Sequence, residues 1–252
     1  MRPVMWKELT AAELRGHAAG GSLVVLPVAS MEQHGPHLPT GVDTFLCEAV
    51  CRAAAEKARD IGVVVAPTLW CGMAEHHMAY GGTFTFDIPT YQAVLRCLLV
   101  SIARHGFKQV MIVNGHGGNI AAMGALLPDL TRETGLDLRA TTYFELANPF
   151  MAGVLEDQTG TMHACEVETS MMMAVAPETV VAEKLPEAVG MMDVQPGALM
   201  RPVVARYRSF KDLTPTGVIG DARRASRAKG EKLVEICAEA LANALREAKG
   251  AG

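Results

Sequence analysis

No stretch of this 252-residue chain approaches the roughly 18 consecutive apolar residues that a membrane-spanning helix needs, so an integral membrane protein is not expected. The first twenty residues have no continuous apolar core and no cleavage site, and are not expected to be a secretory leader. Charge of one sign is not in excess: 23 Lys and Arg stand against 27 Asp and Glu, a net charge of −4. Neither nucleic acid nor an anionic membrane surface is therefore an expected partner. Lys and Arg concentrate in 201–232, but acidic residues are mixed among them, as on a solvated surface. The six cysteines contain no C-x-x-C pair. Cys47 and Cys51, at helical spacing, read as small buried residues, and the set suits a reduced, cytoplasmic protein. Internal repeats, low-complexity tracts and linkers are also missing, so one domain over 1–252 is expected.

What is present is an alternation of apolar runs with helical patterns. Strands are expected at 22–29, 62–69, 108–113 and 137–144. Helices are expected at 44–59, 90–105, 119–134, from near Glu166 to Ala176, and at 223–247, where Leu233, Ile236, Leu241 and Leu245 share a side. Strand–helix alternation with continuously apolar strands argues for an α/β fold whose mainly parallel sheet is covered by helices on both faces. The Gly- and Pro-rich segment 186–222 is weakly periodic and reads as a long surface excursion.

Chemistry gathers where strands should end. The first strand runs into Glu32-Gln33-His34-Gly35-Pro36-His37-Leu38-Pro39-Thr40-Gly41-Val42-Asp43. Glu32 and His34 are two apart, so an extended chain presents them to one side. The glycines and prolines that follow impose a compact path able to return Asp43 to the same cavity. Asp43 is a candidate to bridge two cations, with a helix N-cap as the alternative. Buried carboxylates beside an imidazole need compensation, and a divalent cation supplies it. Another expected strand ends in Asn114-Gly115-His116-Gly117-Gly118-Asn119. Its glycines permit close backbone approach to a ligand. A phosphate loop is the lesser alternative, since neither Gly-Lys-Ser/Thr nor G-x-G-x-x-G occurs here. Asn119 is a candidate N-cap. Ligands in such sheets bind outside the carboxyl ends of the strands, which is where both clusters fall.

Two further clusters lie in between. His163-Ala164-Cys165-Glu166-Val167-Glu168-Thr169-Ser170 opens the helix near Glu166, with Glu166 and Ser170 on one face. First-turn glutamates can simply complement the helix dipole, a role assigned here to Glu168 sooner than to Glu166. Cys165 is read as inert, because no neighbour would lower its pKa. Glu75-His76-His77, followed by Tyr80-Gly81-Gly82-Thr83, offers two adjacent histidines, which rarely both bind one metal. At least one of them is expected to support the site or face a substrate.

Together these motifs resemble the creatininase family of metal-dependent amidohydrolases. The resemblance is carried by Pro27 to Pro39, Asp43, Asn114 to Asn119, His163 to Ser170, and Thr216-Gly217-Val218-Ile219-Gly220-Asp221. It implies a three-layer α/β/α sandwich holding two divalent ions per subunit, of zinc, manganese or iron. It implies that Glu32, Asp43 and His116 hold one ion, and that His34, Asp43 and one more carboxylate hold the other. In creatininase that last carboxylate lies two residues after the histidine matching His116, where this chain has Gly118; Glu166 is expected to replace it. The resemblance further implies His163 as a proton-transferring catalytic residue, with Glu75, His76, His77 and Gly117 facing a small-molecule substrate, in a homo-oligomer, for example a hexamer. Creatininase carries a tryptophan–aspartate pair before its catalytic histidine, whereas Thr159-Gly160-Thr161-Met162 here has neither.

The expected activity is hydrolysis of a small cyclic amide or formamide by a hydroxide bound between two metals. Three rivals stand beside it. One is carbon–carbon or lactone cleavage of a cyclic keto-sugar at the same centre. Another is a non-catalytic homologue that keeps the fold for binding or scaffolding. The last is a mononuclear enzyme in which Glu166 is only a helix-start carboxylate.

Overall fold

Four parallel strands form the centre of the molecule, β1 (Leu23–Val28), β2 (Val63–Val65), β3 (Gln109–Asn114) and β4 (Asp137–Thr142). Their spatial order is β2-β1-β3-β4, with Val24 opposite Val110 and Val28 opposite Asn114. A computed structural model supplies this arrangement and describes residues 3–156, 158–192 and 206–250. β1, β2 and β3 are almost wholly buried, which is why they read as unbroken apolar runs.

Alternate strand residues feed two separate cores. Leu23, Val25, Val63, Val65, Met111 and Val113 face one layer of helices, α2 (Val42–Lys57), α5 (Tyr143–Ala147), α6 (Glu166–Val175) and α7 (Arg227–Gly250). Val24, Leu26, Val28, Val110, Ile112 and Leu138 face the other layer, α3 (Ile88–Arg104) and α4 (Asn119–Thr134). The result is the expected three-layer α/β/α sandwich. The side-chain period of two along a strand splits each strand between the layers, and each layer removes its own apolar surface from water.

The differences from the sequence reading are local. β2 is shorter than 62–69. The run at 137–144 breaks at Tyr143, where α5 begins. A helix not expected from the sequence, α1 (Ala11–Ala19), carries a capping box between Thr10 and Glu13; its apolar periodicity is weak, and the capping signature was the available clue. The C-terminal helix starts at Arg227, four residues later than expected, because Asp221 and Arg223 pair within the preceding turn. Leu233, Leu241 and Leu245 are buried on its inner side, with Ile236 partly so. The described parts of 186–222 are no loose excursion. Ile219 pairs with His163 across an antiparallel bridge, and Phe210 is buried.

α6 and α7 approach so closely at one point that only glycine fits. A Cβ on Gly230 would strike the carbonyl of Ser170. Overpacking a tight core contact typically costs about 1–3 kcal/mol. Gly230→Ala is therefore expected to lower the free energy of unfolding by that amount, read from the denaturant midpoint. An unchanged midpoint would show that the two helices separate without cost.

Candidate metal centre

The strand order reverses between β1 and β3, and ligands of open α/β sheets sit in the crevice at that point, beyond the carboxyl ends of the strands. The chain leaving β1 builds most of the site there. His34 pairs with Leu38 across a tight turn, and the amide of Glu32 donates to the carbonyl of Thr40 at 2.9 Å. This folded-back loop delivers Asp43 to the same cavity, as the turn residues imply. Asp43 is not the N-cap of α2. It lies inside the first turn, the cap position belongs to Gly41, and Thr44 donates to the carbonyl of Ser30.

β3 delivers His116 in the same way. The side chain of Asn114 accepts from the His116 amide at 3.0 Å and donates to the His116 carbonyl at 2.7 Å, clamping the turn. Asn119 was expected as an N-cap; it is instead the first residue of α4, buried, with its amide tied to Ala29, Asn114 and Met73.

The donors converge on Asp43. Its Oδ1 is 3.2 Å from His34 Nε2, and its Oδ2 is 3.1 Å from His116 Nδ1. Glu32 Oε2 stands 3.1 Å from the same His116 nitrogen, and Glu168 Oε2 stands 3.8 Å from His34 Nε2. Glu32, His34, Asp43, His116 and Glu168 are all buried. Ligand–metal distances of about 2.0–2.2 Å put neighbouring ligand atoms roughly 3–3.6 Å apart around one ion, close to the spacings found. The donors fall into two groups that share Asp43, one oxygen to each. Glu32 Oε2, His34 Nε2 and Asp43 Oδ2 are buried and make no hydrogen bond among the described residues. Buried polar atoms left in that state are costly, and metal-ion charge is what this set fits.

The electrostatics agree. Burial works against a proton on His34, yet the carboxylates of Asp43, Glu168 and Glu32 push it up to about 9. His116 is raised well above the ordinary imidazole range against the same burial, chiefly by Glu32 and Asp43. Burial would raise Asp43, but His34 and His116 hold it well below the usual carboxylate range. Burial and the neighbouring carboxylates lift Glu168 to about 7, against the opposing pull of His34. So much negative charge in one cavity demands either protons on the imidazoles or cations between the lone pairs.

Glu166 does not join this cluster. Its carboxylate binds Lys229 at the start of α7 and accepts the amide of Glu156 at 3.2 Å. Glu168 comes to the site in its place. Residues two apart on a helix lie about 200° around the axis from each other, so only one of the two can face the sheet edge. Glu166 shares its face with Ser170, and that face packs on the start of α7, with Ser170 Oγ accepting from the amide of Ser226 just before it. Glu168 is fixed by accepting the Ala164 amide at 2.5 Å. Gly118 cannot be a donor position either. A Cβ there would strike the Met73 carbonyl and the His116 ring.

The other expected site residues are spread around the cluster. The His163 ring lies tilted against that of His34, centroids 4.3 Å apart, with Nδ1 3.7 Å from Glu32 Oε1; burial, then His34, holds it well below its ordinary pKa. His77 is buried, with Nε2 3.2 Å from Glu32 Oε1, and burial followed by His163 lowers its pKa. His76 lies over His116 at 5.7 Å, nearly parallel, and Gly117 is half-exposed beside it. Glu75 does not reach the cluster: it is exposed, and among the described residues its backbone carbonyl is engaged by Tyr207. The sequence reading missed Gln33 and Phe210. Phe210 packs on His77 at 4.3 Å and edge-on to His163 at 4.8 Å. No local signal marks Phe210, whereas Gln33, flanked by two donors, was open to suspicion.

The family model for creatininase, creatinine amidohydrolase, matches residues 7–245. The chain belongs to the creatininase family. Within it, the chain is similar to a creatinine amidohydrolase of Pseudomonas putida, 30% identical over 96% of this chain and 94% of that one. It also resembles a mycofactocin precursor peptide peptidase of Mycolicibacterium smegmatis (31%, covering 87% and 84%) and a 3-dehydro-scyllo-inosose hydrolase of Thermotoga maritima (29%, covering 97% and 83%). Two solved creatininase structures share its fold: a crystal structure with TM-score 0.81 and a zinc–zinc form of a point variant with TM-score 0.79. Each is 27% identical and covers 98% of both chains. This chain is thus a creatininase-family hydrolase, and its fold is that of creatininase.

The two glutamates can be told apart by metal analysis. Glu168→Gln is expected to lower bound metal by one ion per chain. Glu166→Gln is expected to keep the wild-type count while destabilising the fold by about 1–3 kcal/mol through loss of a charged partner for Lys229. Metal loss in the Glu166 variant alone would reverse the assignment.

Proposed function

We propose that this creatininase-family member is a hydrolase of a small cyclic amide or formamide. In this reading Glu32, Asp43 and His116 hold one divalent ion and His34, Asp43 and Glu168 the other. The observation that carries it is the division of Asp43, one oxygen at each histidine. Two such ions, when bound, polarise a carbonyl oxygen and lower the pKa of water toward about 7. Histidine with carboxylate suits zinc, manganese or iron(II).

The chain's own residues supply the rest. His163 is the proton carrier: its side chain lies against His34 and Glu32 while staying partly exposed, and a neutral imidazole can take up a proton and release it to a departing nitrogen. Phe210, His76 and His77 form an aromatic wall that limits water, with Gly117 leaving room beside His116. The absence of a Trp–Asp pair at Thr159 to Met162 argues for a substrate other than creatinine. Cyclic keto-sugar cleavage is a second reading, favoured by the Thermotoga relative. Product analysis separates the two, since only the amide reading releases a nitrogen compound or formate. A homo-oligomer, such as the hexamer of the resemblance, would cover exposed Trp70 and Phe84, which meet edge to face at 5.4 Å. A cytoplasmic setting suits six free cysteines.

A metal assay followed by a screen of creatinine, hydantoins, formamides, short peptides and a keto-sugar lactone tests the reading. Stoichiometric metal with no hydrolysis of any amide would overturn it. Within that screen His163→Asn should cut turnover by about 10²–10⁴ with metal content intact. Asp43→Ala should release both ions together, and one ion kept at full occupancy would show that Asp43 serves a single position.

A further inference from the structure

Gln33 sits between two proposed metal-binding residues, Glu32 and His34, yet its side chain points to neither. Its amide nitrogen is 3.0 Å from His77 Nδ1, 3.0 Å from His163 Nε2 and 3.1 Å from the carbonyl of Gly217. Its amide oxygen is 2.9 Å from the amide nitrogen of Gly35. These contacts settle which end is which. The Gly35 N–H can only donate, so it faces the oxygen; the Gly217 carbonyl can only accept, so it faces the NH2 group.

The amide has two hydrogens for three neighbours. One goes to Gly217. The choice between the two histidines is made by the backbone. His163 Nε2 also lies 2.9 Å from the carbonyl of Gln33, which can only accept. His163 Nε2 must therefore carry a hydrogen, and cannot accept one from the side chain of Gln33. The second amide hydrogen falls to His77 Nδ1. That leaves the His77 proton on Nε2, aimed at Glu32 Oε1, 3.2 Å away. It leaves His163 Nδ1 bare and facing the donor cluster, 3.7 Å from Glu32 Oε1.

We infer that Gln33 is a positioning residue whose backbone carbonyl and side-chain amide together set the tautomers of His163 and His77, presenting an unprotonated Nδ1 of His163 to the reacting centre and an Nε2–H of His77 to Glu32. The carbonyl fixes His163 and the amide fixes His77, so one residue orients a proton carrier and, through His77, a proposed metal ligand, Glu32. Orientation of this kind around a metal centre usually matters about 10–100-fold for affinity or activity. The catalytic consequence rests on His163 as the proton carrier of the proposed hydrolysis; the hydrogen-bond assignment does not.

Long-range nitrogen–proton correlation spectra of the zinc-loaded, ¹⁵N-histidine-labelled protein test the assignment directly. The wild type should show both His77 and His163 protonated at Nε2. Gln33→Glu, which has no hydrogen to give, should move the His77 proton to Nδ1. Gln33→Met, which keeps the length without the amide, should leave His77 in a mixture of tautomers. Both variants should retain His163 in its wild-type form, because its partner is backbone, and should lower kcat about 10–100-fold with KM little changed. Wild-type His163 protonated at Nδ1 would overturn the inference whether or not either variant folds, as would an unmoved His77 signal in Gln33→Glu. The stated tautomers in a protein that hydrolyses no amide would support the role of Gln33 and sink the proposed activity.

Discussion

Three carboxylates and two imidazoles are held out of water at the carboxyl ends of β1 and β3, and the rest of the architecture serves to keep them there. Taken singly, each burial opposes folding. Taken together, with Asp43 dividing its oxygens between His34 and His116, they form a set that only positive charge can complete. Protons on the imidazoles are one completion, as the elevated pKa of His34 and His116 shows. Cations are the other, and the buried atoms without hydrogen bonds favour them. A sheet whose strands are covered on both faces supplies the rigid edge that such a set requires.

The helical layer on one side of the sheet decides which glutamate belongs to the set. α6 could place either Glu166 or Glu168 at the sheet edge, and the close fit of Ser170 against Gly230 chooses its rotation. Glu166 then neutralises Lys229 at the start of α7, and Glu168 turns inward. Ala164 takes a positive φ of 53°, a conformation rare for a residue with a Cβ. The Ala164 amide hydrogen bonds to Glu168, so the strained turn and the inward carboxylate hold each other.

The segment after residue 206 covers the centre. Ile219 pairs with His163, Gly217 takes a hydrogen bond from Gln33, and Phe210 lies against His77 and His163. Relatives that act on creatinine, on a peptide and on an inosose share this family. In the proposed reading the donors act on a bond, and a wall built in part by this segment selects what surrounds it.

The sequence by itself determined the parallel sheet, the covered faces and the gathering of Glu32, His34, Asp43 and His116. Unbroken apolar strands and turn-forming residues beside ionisable ones are local patterns with few physical solutions. It did not determine the third carboxylate, the tautomer-setting contacts of Gln33 or the wall from Phe210. The first depends on the rotation of a helix, which its neighbour fixes. The others depend on residues 44 to 184 positions apart in the chain, whose meeting follows only once both cores are packed.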